Sequence, residues 1–265
     1  MIFAMSDIHG QYGLLEKRVA QIKPLLHDNN KLVLLGDLID SGGRSYECLQ
    51  LAYDLEQEFG ADKVIVLKGN HEVWLEEFLF GDEDIWLDKD RHFSTTRSFL
   101  KEEQFIELKG LIDREARIKY VREQIEENHG SLLSWMRNLR LFYETDTQIF
   151  VHAGVDENIP EEEMAWCTIG TPEYVLTGKY PPTVGHFYKD VIAGHVAASL
   201  VARDRGFKGI YFDGESHYYI DGQAGKNRRI LCLVYDESKK KYYELNEDGS
   251  LCEIKGRENK MLVGE

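Results

Sequence analysis

Five short apolar segments of the sequence are each followed by a side chain that can bind a metal ion. In chain order these side chains are Asp7 and His9, Asp37, Asn70, His152 and His195. Ligands of open α/β sheets gather beyond the carboxyl ends of the strands, so the pattern predicts that the six converge on one edge of a sheet. A single Asp after a strand is more often a turn former or a helix cap. Here glycines flank all five positions and permit tight turns, which favours a shared site.

The candidate ligands offer two carboxylates, one amide oxygen and three imidazoles, without a thiolate. This donor set suits manganese, iron or zinc better than calcium or a zinc finger, and we favour manganese. Six ligands are too many for one tetrahedral ion and suit two divalent metal ions that share a carboxylate. Two ions roughly 3.5–4 Å apart can hold a hydroxide and clamp the oxygens of an in-line displacement at phosphorus. The pattern therefore predicts a dinuclear metal site, whose two ions would suit a displacement at phosphorus.

The elements that carry these ligands alternate between strand and helix. Ile2–Met5, residues 32–35 and residues 64–67 are apolar runs, and amphipathic helical patterns separate them. This order predicts right-handed crossovers and a mainly parallel core sheet. Gln148–Val151 and Asp190–Ala193 are expected to be further core strands.

The C-terminal part alternates apolar segments with turns, which is typical of a second, more antiparallel sheet packed against the first. These segments are residues 210–212, 218–220 and 230–235, and Lys241–Leu245. Before them, charges dominate residues 81–139 and the apolar spacing is helical, so we expect a helical cap or insertion there. The expected fold is α/β: a sandwich of two mixed sheets flanked by helices, in one domain over residues 1–265.

Composition excludes several other classes of protein. The 265 residues are 43% hydrophobic and 30% charged with only 5 prolines, which argues against disordered, collagen-like and repeat chains. The net charge of −15 would repel a nucleic-acid backbone. No apolar run approaches the roughly 20 residues that span a bilayer, and the N-terminus lacks the features of a signal peptide. The four cysteines are scattered, so we expect a cytoplasmic protein without membrane contact.

Several motifs resemble those of the calcineurin-like metallophosphoesterases. They are Asp7-Ile8-His9-Gly10, Gly36-Asp37-Leu38-Ile39-Asp40, Gly69-Asn70-His71-Glu72, His152-Ala153-Gly154 and Gly194-His195. Within that superfamily the motifs are most similar to the phosphoprotein phosphatase group, particularly its bacterial and phage-type serine/threonine phosphatases and the related diadenosine tetraphosphatases.

The resemblance implies a role for each matching residue. Asp7 and His9 would bind the first metal ion, and Asp37 would bridge both ions. Asn70, His152 and His195 would complete the ligand set of the second ion. His71 would be the general acid that protonates the leaving oxygen, held by Asp40. The implied reaction is direct attack of a metal-bound hydroxide on the phosphate ester, without a phosphoenzyme.

The sequence also departs from this family's pattern at the positions that recognise phosphate. Ser41 stands where an arginine usually follows the second Asp, and Lys68 stands where an arginine often precedes Gly69. Lysine grips phosphate only as a point charge, so these changes predict altered phosphate recognition. We expect Lys68 and Arg44 to contribute to phosphate binding.

Three functions remain open. We favour a phosphate monoesterase similar to the serine/threonine protein phosphatases, acting on a phosphorylated protein or a small phosphate ester. One alternative is a hydrolase of dinucleoside polyphosphates or other small phosphate compounds, because a helical insertion could wall off a small pocket. The other is a catalytically weak metal-binding regulatory protein. The sequence leaves the oligomeric state and the physiological substrate undetermined.

Overall fold

The computed structural model describes residues 1–257 of the chain, and its strands form two sheets. In chain order the strands are β1 (Ile2–Met5), β2 (Lys31–Leu34), β3 (Val64–Val66), β4 (Phe142–Glu144), β5 (Gln148–Val151), β6 (Asp190–Ala193), β7 (Tyr211–Phe212), β8 (His217–Tyr219), β9 (Leu233–Asp236), β10 (Lys241–Leu245) and β11 (Leu251–Glu253). One sheet has the order β11-β10-β9-β1-β2-β3, and the other has the order β4-β5-β6-β8-β7.

Both sheets are mixed. In the first, β1 runs parallel to β2 with Ile2 opposite Lys31, and β2 runs parallel to β3. On its other side β1 pairs antiparallel with β9, with Phe3 opposite Val234. In the second sheet β5, β6 and β8 are parallel, whereas β4 and β7 are antiparallel edge strands. The expected sandwich of two mixed sheets is confirmed.

The assignment of individual strands to sheets was wrong in two respects. Gln148–Val151 and Asp190–Ala193 are not part of the first sheet but form the centre of the second. Conversely, β9 and β10 do not belong to the second sheet, because they extend the first sheet beside β1. An apolar run indicates a strand but does not indicate which strand it pairs with. Packing between segments that are distant in the sequence decides that pairing.

The helices cover the outer faces of the two sheets. In chain order they are α1 (Tyr12–Ile22), α2 (Ser45–Phe59), α3 (Asn70–Phe80), α4 (Ile85–Lys89), α5 (Ser94–Phe99), α6 (Glu102–Gly110), α7 (Arg114–Arg137), α8 (Cys167–Gly170), α9 (Glu173–Gly178), α10 (Ala198–Val201) and α11 (Ala224–Asn227), with 3-10 turns at Lys23–His27, Arg91–Phe93 and Glu161–Trp166. Pro24 lies in the first of these turns, directly after α1, because proline cannot continue the α-helical hydrogen bonds.

Alternation along the strands divides the core into layers. In β1, Phe3 and Met5 pack under the helices, whereas Ile2 and Ala4 face the other sheet. Phe150 of β5 lies in the layer between the sheets, together with residues of the first sheet. The chain therefore forms four layers, in which the two sheets pack face to face and helices cover both outer faces. The ends of the two sheets come close together.

The segment expected to be a helical insertion is helical. Helices α4 to α7 occupy it, and buried residues such as Trp86, Phe99 and Val121 belong to the same apolar cluster as Phe78 of α3. This segment therefore packs on the first sheet's helices through a continuous core. No helix within residues 1–257 is both long and apolar enough to cross a membrane.

Candidate functional site

The six candidate ligands lie at strand and helix ends that meet at one end of the sandwich. Asp7 and His9 follow β1 and Asp37 follows β2, whereas Asn70 is the first residue of α3. The remaining two, His152 and His195, follow β5 and β6 in the other sheet. The prediction of one sheet edge needs correction, because the carboxyl ends of strands from two sheets supply the side chains.

The carboxylate of Asp37 lies at the centre of the group and is 2% exposed. Its Oδ2 atom lies 3.4 Å from His152 Nε2 and 3.8 Å from both His9 Nε2 and His71 Nε2. Its Oδ1 atom accepts a hydrogen bond of 3.1 Å from the backbone N–H of His71. One carboxylate oxygen is therefore surrounded by three imidazole nitrogens.

Two groups of potential ligands share this carboxylate. One consists of His9, Asp37 and His71, and the other consists of Asp37, His152 and His195, each with ligand atoms within 4.8 Å of one another. The amide oxygen of Asn70 extends the second group, at 3.0 Å from His152 Nε2 and 2.9 Å from His195 Nδ1. This arrangement is what two ions with a common carboxylate require.

Asp7 contacts both sides of the site. Its Oδ1 lies 3.9 Å from His9 Nε2, and its Oδ2 accepts a hydrogen bond of 3.0 Å from the backbone N–H of His195. Gly194 permits this contact, because a Cβ at that position would overlap Ser6 Oγ and the Asp7 carboxylate. Burial by itself raises the pKa of Asp37, but the neighbouring imidazoles of His152, His71 and His9 together outweigh burial, and the pKa is lowered.

Hydrogen bonds also fix which imidazole nitrogens face the centre. His152 Nδ1 lies 2.8 Å from the carbonyl oxygen of Leu35, and His9 Nδ1 lies 3.0 Å from that of Ile39. Because a carbonyl oxygen only accepts, each Nδ1 carries a hydrogen. When a metal ion replaces any proton on Nε2, the Nε2 lone pair of each ring would be directed toward the ion beside Asp37. The oxygen and imidazole donors and their orientation therefore fit a pair of divalent ions.

The backbone is strained where it presents these side chains. Positive φ angles occur at Asp7 (54°), His9 (49°), Asp37 (54°), Asp40 (69°), Ser41 (63°) and His195 (60°). Each such residue costs on the order of 1 kcal/mol or more, so the surrounding fold must impose the conformation. Strain of this kind concentrates at functional sites, and here it concentrates at the strand ends.

The buried carboxylate of Glu72 holds two of these strand ends together, and the sequence interpretation missed this role. It accepts hydrogen bonds from the backbone N–H groups of Asp37 (2.8 Å), Leu38 (2.8 Å) and Gly69 (2.9 Å). Burial and the charge of Asp37 raise the pKa of Glu72. The available signal was its place at the third position of α3, which is the acidic position of a capping box.

Asp221 is a second buried acid that the sequence interpretation missed. It is 8% exposed, and burial together with the charge of Asp7 raises its pKa well above the usual value. It follows β8, whose end was predicted at residue 220. The rule that identified the other ligands therefore applied to Asp221 as well.

His71 and Asp40 form a hydrogen-bonded pair beside the Asp37 centre. His71 Nδ1 lies 2.7 Å from Asp40 Oδ2, and the indole N–H of Trp86 donates to the same oxygen at 3.1 Å. Burial lowers the pKa of His71, but the Asp40 hydrogen bond and the charges of Asp37 and Asp40 outweigh it, and the pKa is raised. An imidazole held in this way is a suitable proton donor.

The two basic residues expected at the phosphate have other partners. Lys68 is buried, and its Nζ binds Glu76 at 2.7 Å and the carbonyl oxygen of Arg137 at 3.0 Å. The guanidinium of Arg44 donates to Glu47 at 2.8 Å and lies 4.0 Å from the centroid of the Tyr12 ring. Both cations therefore have protein partners in the structure, and their role in phosphate binding stays a prediction.

Comparisons with known proteins show which family and which solved structures the chain is similar to. The family model of the calcineurin-like phosphoesterases matches residues 1–196. Serine/threonine-protein phosphatase 2 of Escherichia coli strain K12 is 38% identical over 87 residues, which are 32% of this chain and 36% of that protein. The matched segment is therefore about a third of that relative's length.

Two solved structures share the fold at low sequence identity. A cold-active protein-tyrosine phosphatase of a psychrophilic Shewanella species has a TM-score of 0.58 and 15% identity, covering 95% of this chain and 79% of that chain. A protein serine/threonine phosphatase of Saccharomyces cerevisiae has a TM-score of 0.50 and 13% identity, covering 98% of this chain and 81% of that chain.

Proposed function

The chain belongs to the calcineurin-like phosphoesterase family, and on that premise we propose that it hydrolyses phosphate monoesters with two divalent metal ions. The observation that carries the proposal is the position of the Asp37 carboxylate, whose Oδ2 atom lies 3.8 Å from Nε2 of His9, in one proposed ligand set, and 3.4 Å from Nε2 of His152, in the other. The His71–Asp40 pair beside it adds a proton donor. Metal binding and acid catalysis are the two functions that such a reaction needs.

Each ion has a proposed set of ligands. Asp7, His9 and Asp37 would hold one ion, and Asp37 together with Asn70, His152 and His195 would hold the other. Divalent ions in such a pair supply positive charge for the phosphate oxygens and lower the pKa of water toward neutrality. We favour manganese, and iron or zinc would also suit these donors.

His71 would act as the general acid. Its Nε2 lies 3.8 Å from Asp37 Oδ2, so the nitrogen that faces the metal centre can also face the leaving oxygen. Asp40 holds the opposite nitrogen and stabilises the protonated imidazole. The proton would pass from His71 to the oxygen that leaves phosphorus, which removes the need to expel an alkoxide.

The favoured substrate is a phosphate monoester of the kind that serine/threonine protein phosphatases hydrolyse. The segment that is 38% identical to the Escherichia coli phosphatase supports this choice. A small-molecule phosphate ester is the second candidate, because a cavity lined by helices α3 to α5 adjoins His71. The helical segment at about 81–139 would then be a cap within a single domain over residues 1–265.

The proposed location is the cytoplasm. Cys48, Cys167 and Cys232 are buried and Cys252 is exposed, and all four are free thiols. Unpaired cysteines are usual in a reducing compartment.

Turnover of p-nitrophenyl phosphate with added Mn²⁺ tests the proposal. We expect hydrolysis by the native chain and loss of both turnover and one equivalent of metal in Asp37→Asn, because the amide carries no charge for two ions. Asp146→Asn, which changes an exposed carboxylate, is the matched control and should behave as the native chain does. A native chain that binds metal without turnover would instead support the metal-binding regulatory protein. Comparison of phosphopeptides with diadenosine tetraphosphate would separate the two enzymatic alternatives.

A further inference from the structure

A cavity of about 790 Å³ lies beside the candidate site. It shares Asp40, Ser41 and His71 with that site, and its other walls come from α3, α4, the Arg91–Phe93 turn and α5. This volume lies within the range of small-ligand pockets, which is roughly 300–1,000 Å³. The cavity is thus large enough for a substituent of the substrate and continuous with the place where the phosphate would react.

Apolar side chains are exposed inside this cavity. Trp74 lies one helical turn after His71, its ring centroid is 4.6 Å from that of His71, and it is 44% exposed. Ile85 of α4 is 52% exposed, and Trp86 lines the cavity while its N–H binds Asp40. Aromatic and aliphatic walls with a few polar groups at one end are typical of a site for an organic ligand.

The charged walls do not favour a second phosphate group. The cavity walls include two acidic residues, Glu77 and Glu83, and two basic residues, Lys89 and Arg91, so these four formal charges sum to zero. The Asp90 carboxylate, also in the wall, accepts hydrogen bonds from the backbone of Thr95 and Thr96 at the start of α5. The Lys89 ammonium lies 5.6 Å from the centroid of the Trp74 ring, where it adds a cation–π contact. A polyphosphate chain would need an excess of positive charge that these walls lack.

We infer that the cavity binds the leaving group of the substrate, that this leaving group is aromatic, and that Trp74 determines the preference. The inference rests on the proposed function, in which His71 protonates the leaving oxygen. Within that function it favours the small-molecule phosphate ester over a serine or threonine phosphate, whose leaving group carries no ring. Because His71 lies in the cavity wall, the group attached to the oxygen that it protonates would lie in the cavity. Water forms the new bond to phosphorus, the bond to the leaving oxygen breaks, and that oxygen keeps the electron pair and takes the His71 proton. The products are phosphate and an aromatic alcohol, and a proton from the attacking water restores His71.

Benzyl phosphate and hexyl phosphate test this inference, because both leave as primary alcohols of similar basicity and only one carries a ring. With Mn²⁺ present we expect the native chain to have a kcat/KM about tenfold higher for benzyl phosphate. Trp74→Leu should reduce the ratio to less than about threefold, whereas Trp74→Phe should keep most of it. Benzyl alcohol should inhibit the native chain competitively and should inhibit Trp74→Leu more weakly.

A matched pair of isoleucine variants distinguishes an effect of the cavity on activity from an effect of the rest of the helical segment. Ile85→Ala should lower kcat/KM for benzyl phosphate, whereas Ile112→Ala should leave it unchanged, because Ile112 is 94% exposed between α6 and α7. Equal kcat/KM values for both esters, or a benzyl preference that survives Trp74→Leu, would overturn the inference and leave the proposed function intact. Absence of turnover on both esters and on p-nitrophenyl phosphate would contradict the proposed function itself.

Discussion

His71 Nδ1 lies 2.7 Å from Asp40 Oδ2, and this contact orients the imidazole so that its other nitrogen faces the Asp37 carboxylate. Trp86, from the helical segment, donates to the same Asp40 oxygen. The proton donor of the proposed reaction is therefore held by a strand end of the first sheet and by the helices that cover it.

Replacement of His71 should separate metal binding from proton transfer. We expect His71→Asn to lower kcat for alkyl phosphates by about 10²–10⁴, because the alkoxide would leave without a proton. The loss should be small for p-nitrophenyl phosphate, whose leaving group scarcely needs one. Steady-state kinetics on both substrates and metal analysis measure this difference, with the exposed His186→Asn as control. Equal losses on the two substrates would show that His71 positions the substrate instead.

An arginine introduced at Ser41 should improve capture of simple phosphomonoesters. Ser41 lines the cavity beside His71, and the motif resemblance implies an arginine at this position. A charge-assisted contact of about 1.5–3 kcal/mol would raise kcat/KM roughly ten- to a hundredfold in Ser41→Arg. Ser41→Gln offers a long polar side chain without the charge and should give little gain. Similar values for the two variants would mean that charge at this position does not contribute.

Glu72 should contribute to stability through its three backbone hydrogen bonds. In Glu72→Gln one carboxylate oxygen becomes an NH₂ group, which faces backbone N–H donors and cannot accept from them. We expect the free energy of unfolding to fall by about 1–3 kcal/mol, measured by urea denaturation. Glu103→Gln changes an exposed glutamate of α6 and should have a negligible effect. A loss of equal size in both variants would contradict the role of Glu72 in joining the strand ends.

His217 should make stability depend on pH in the alkaline direction. Its imidazole is 1% exposed and lies 3.1 Å from Glu157 and 3.2 Å from Asp213. Burial lowers the pKa of His217, but these two carboxylates outweigh burial and raise it to about 9. Because the folded pKa exceeds the unfolded value, the contribution is complete below about pH 6.5 and is lost as the pH rises through about 9.

The size of this effect should be roughly 3 kcal/mol between pH 6 and pH 9.5. Urea denaturation across that range should show the decline in the native chain and a smaller decline in His217→Gln. His186→Gln, an exposed histidine, should follow the native curve. A native stability that rises across this range would contradict the ion-pair assignment.

The sequence predicted that the six candidate ligands lie together because its signals are local. Each ligand follows an apolar run, and the carboxyl end of a strand is where an α/β fold presents side chains. The role of Trp86 was not predicted, because its indole reaches Asp40 across 46 residues and only tertiary packing creates that contact. For the same reason the partner of β1 on its second side, β9, could not be read from the pattern of either strand.

The partners of the basic residues also could not be predicted from the sequence. Lys68 precedes Gly69 as a phosphate-binding cation would, but its ammonium binds Glu76, in the second turn of α3. Residue type and position in a motif led to the prediction, whereas the direction of a long flexible side chain depends on which charges surround it.

Electron paramagnetic resonance of the Mn²⁺-loaded protein tests most directly whether Asp37 joins two metal ions. We predict that the native chain binds two equivalents of Mn²⁺ and gives the spectrum of an exchange-coupled pair. Asp146→Asn should give the same spectrum, whereas Asp37→Asn should show only isolated ions and fewer equivalents bound. A native chain that binds a single equivalent, or two equivalents with the spectrum of isolated ions, would contradict a shared dinuclear site at Asp37.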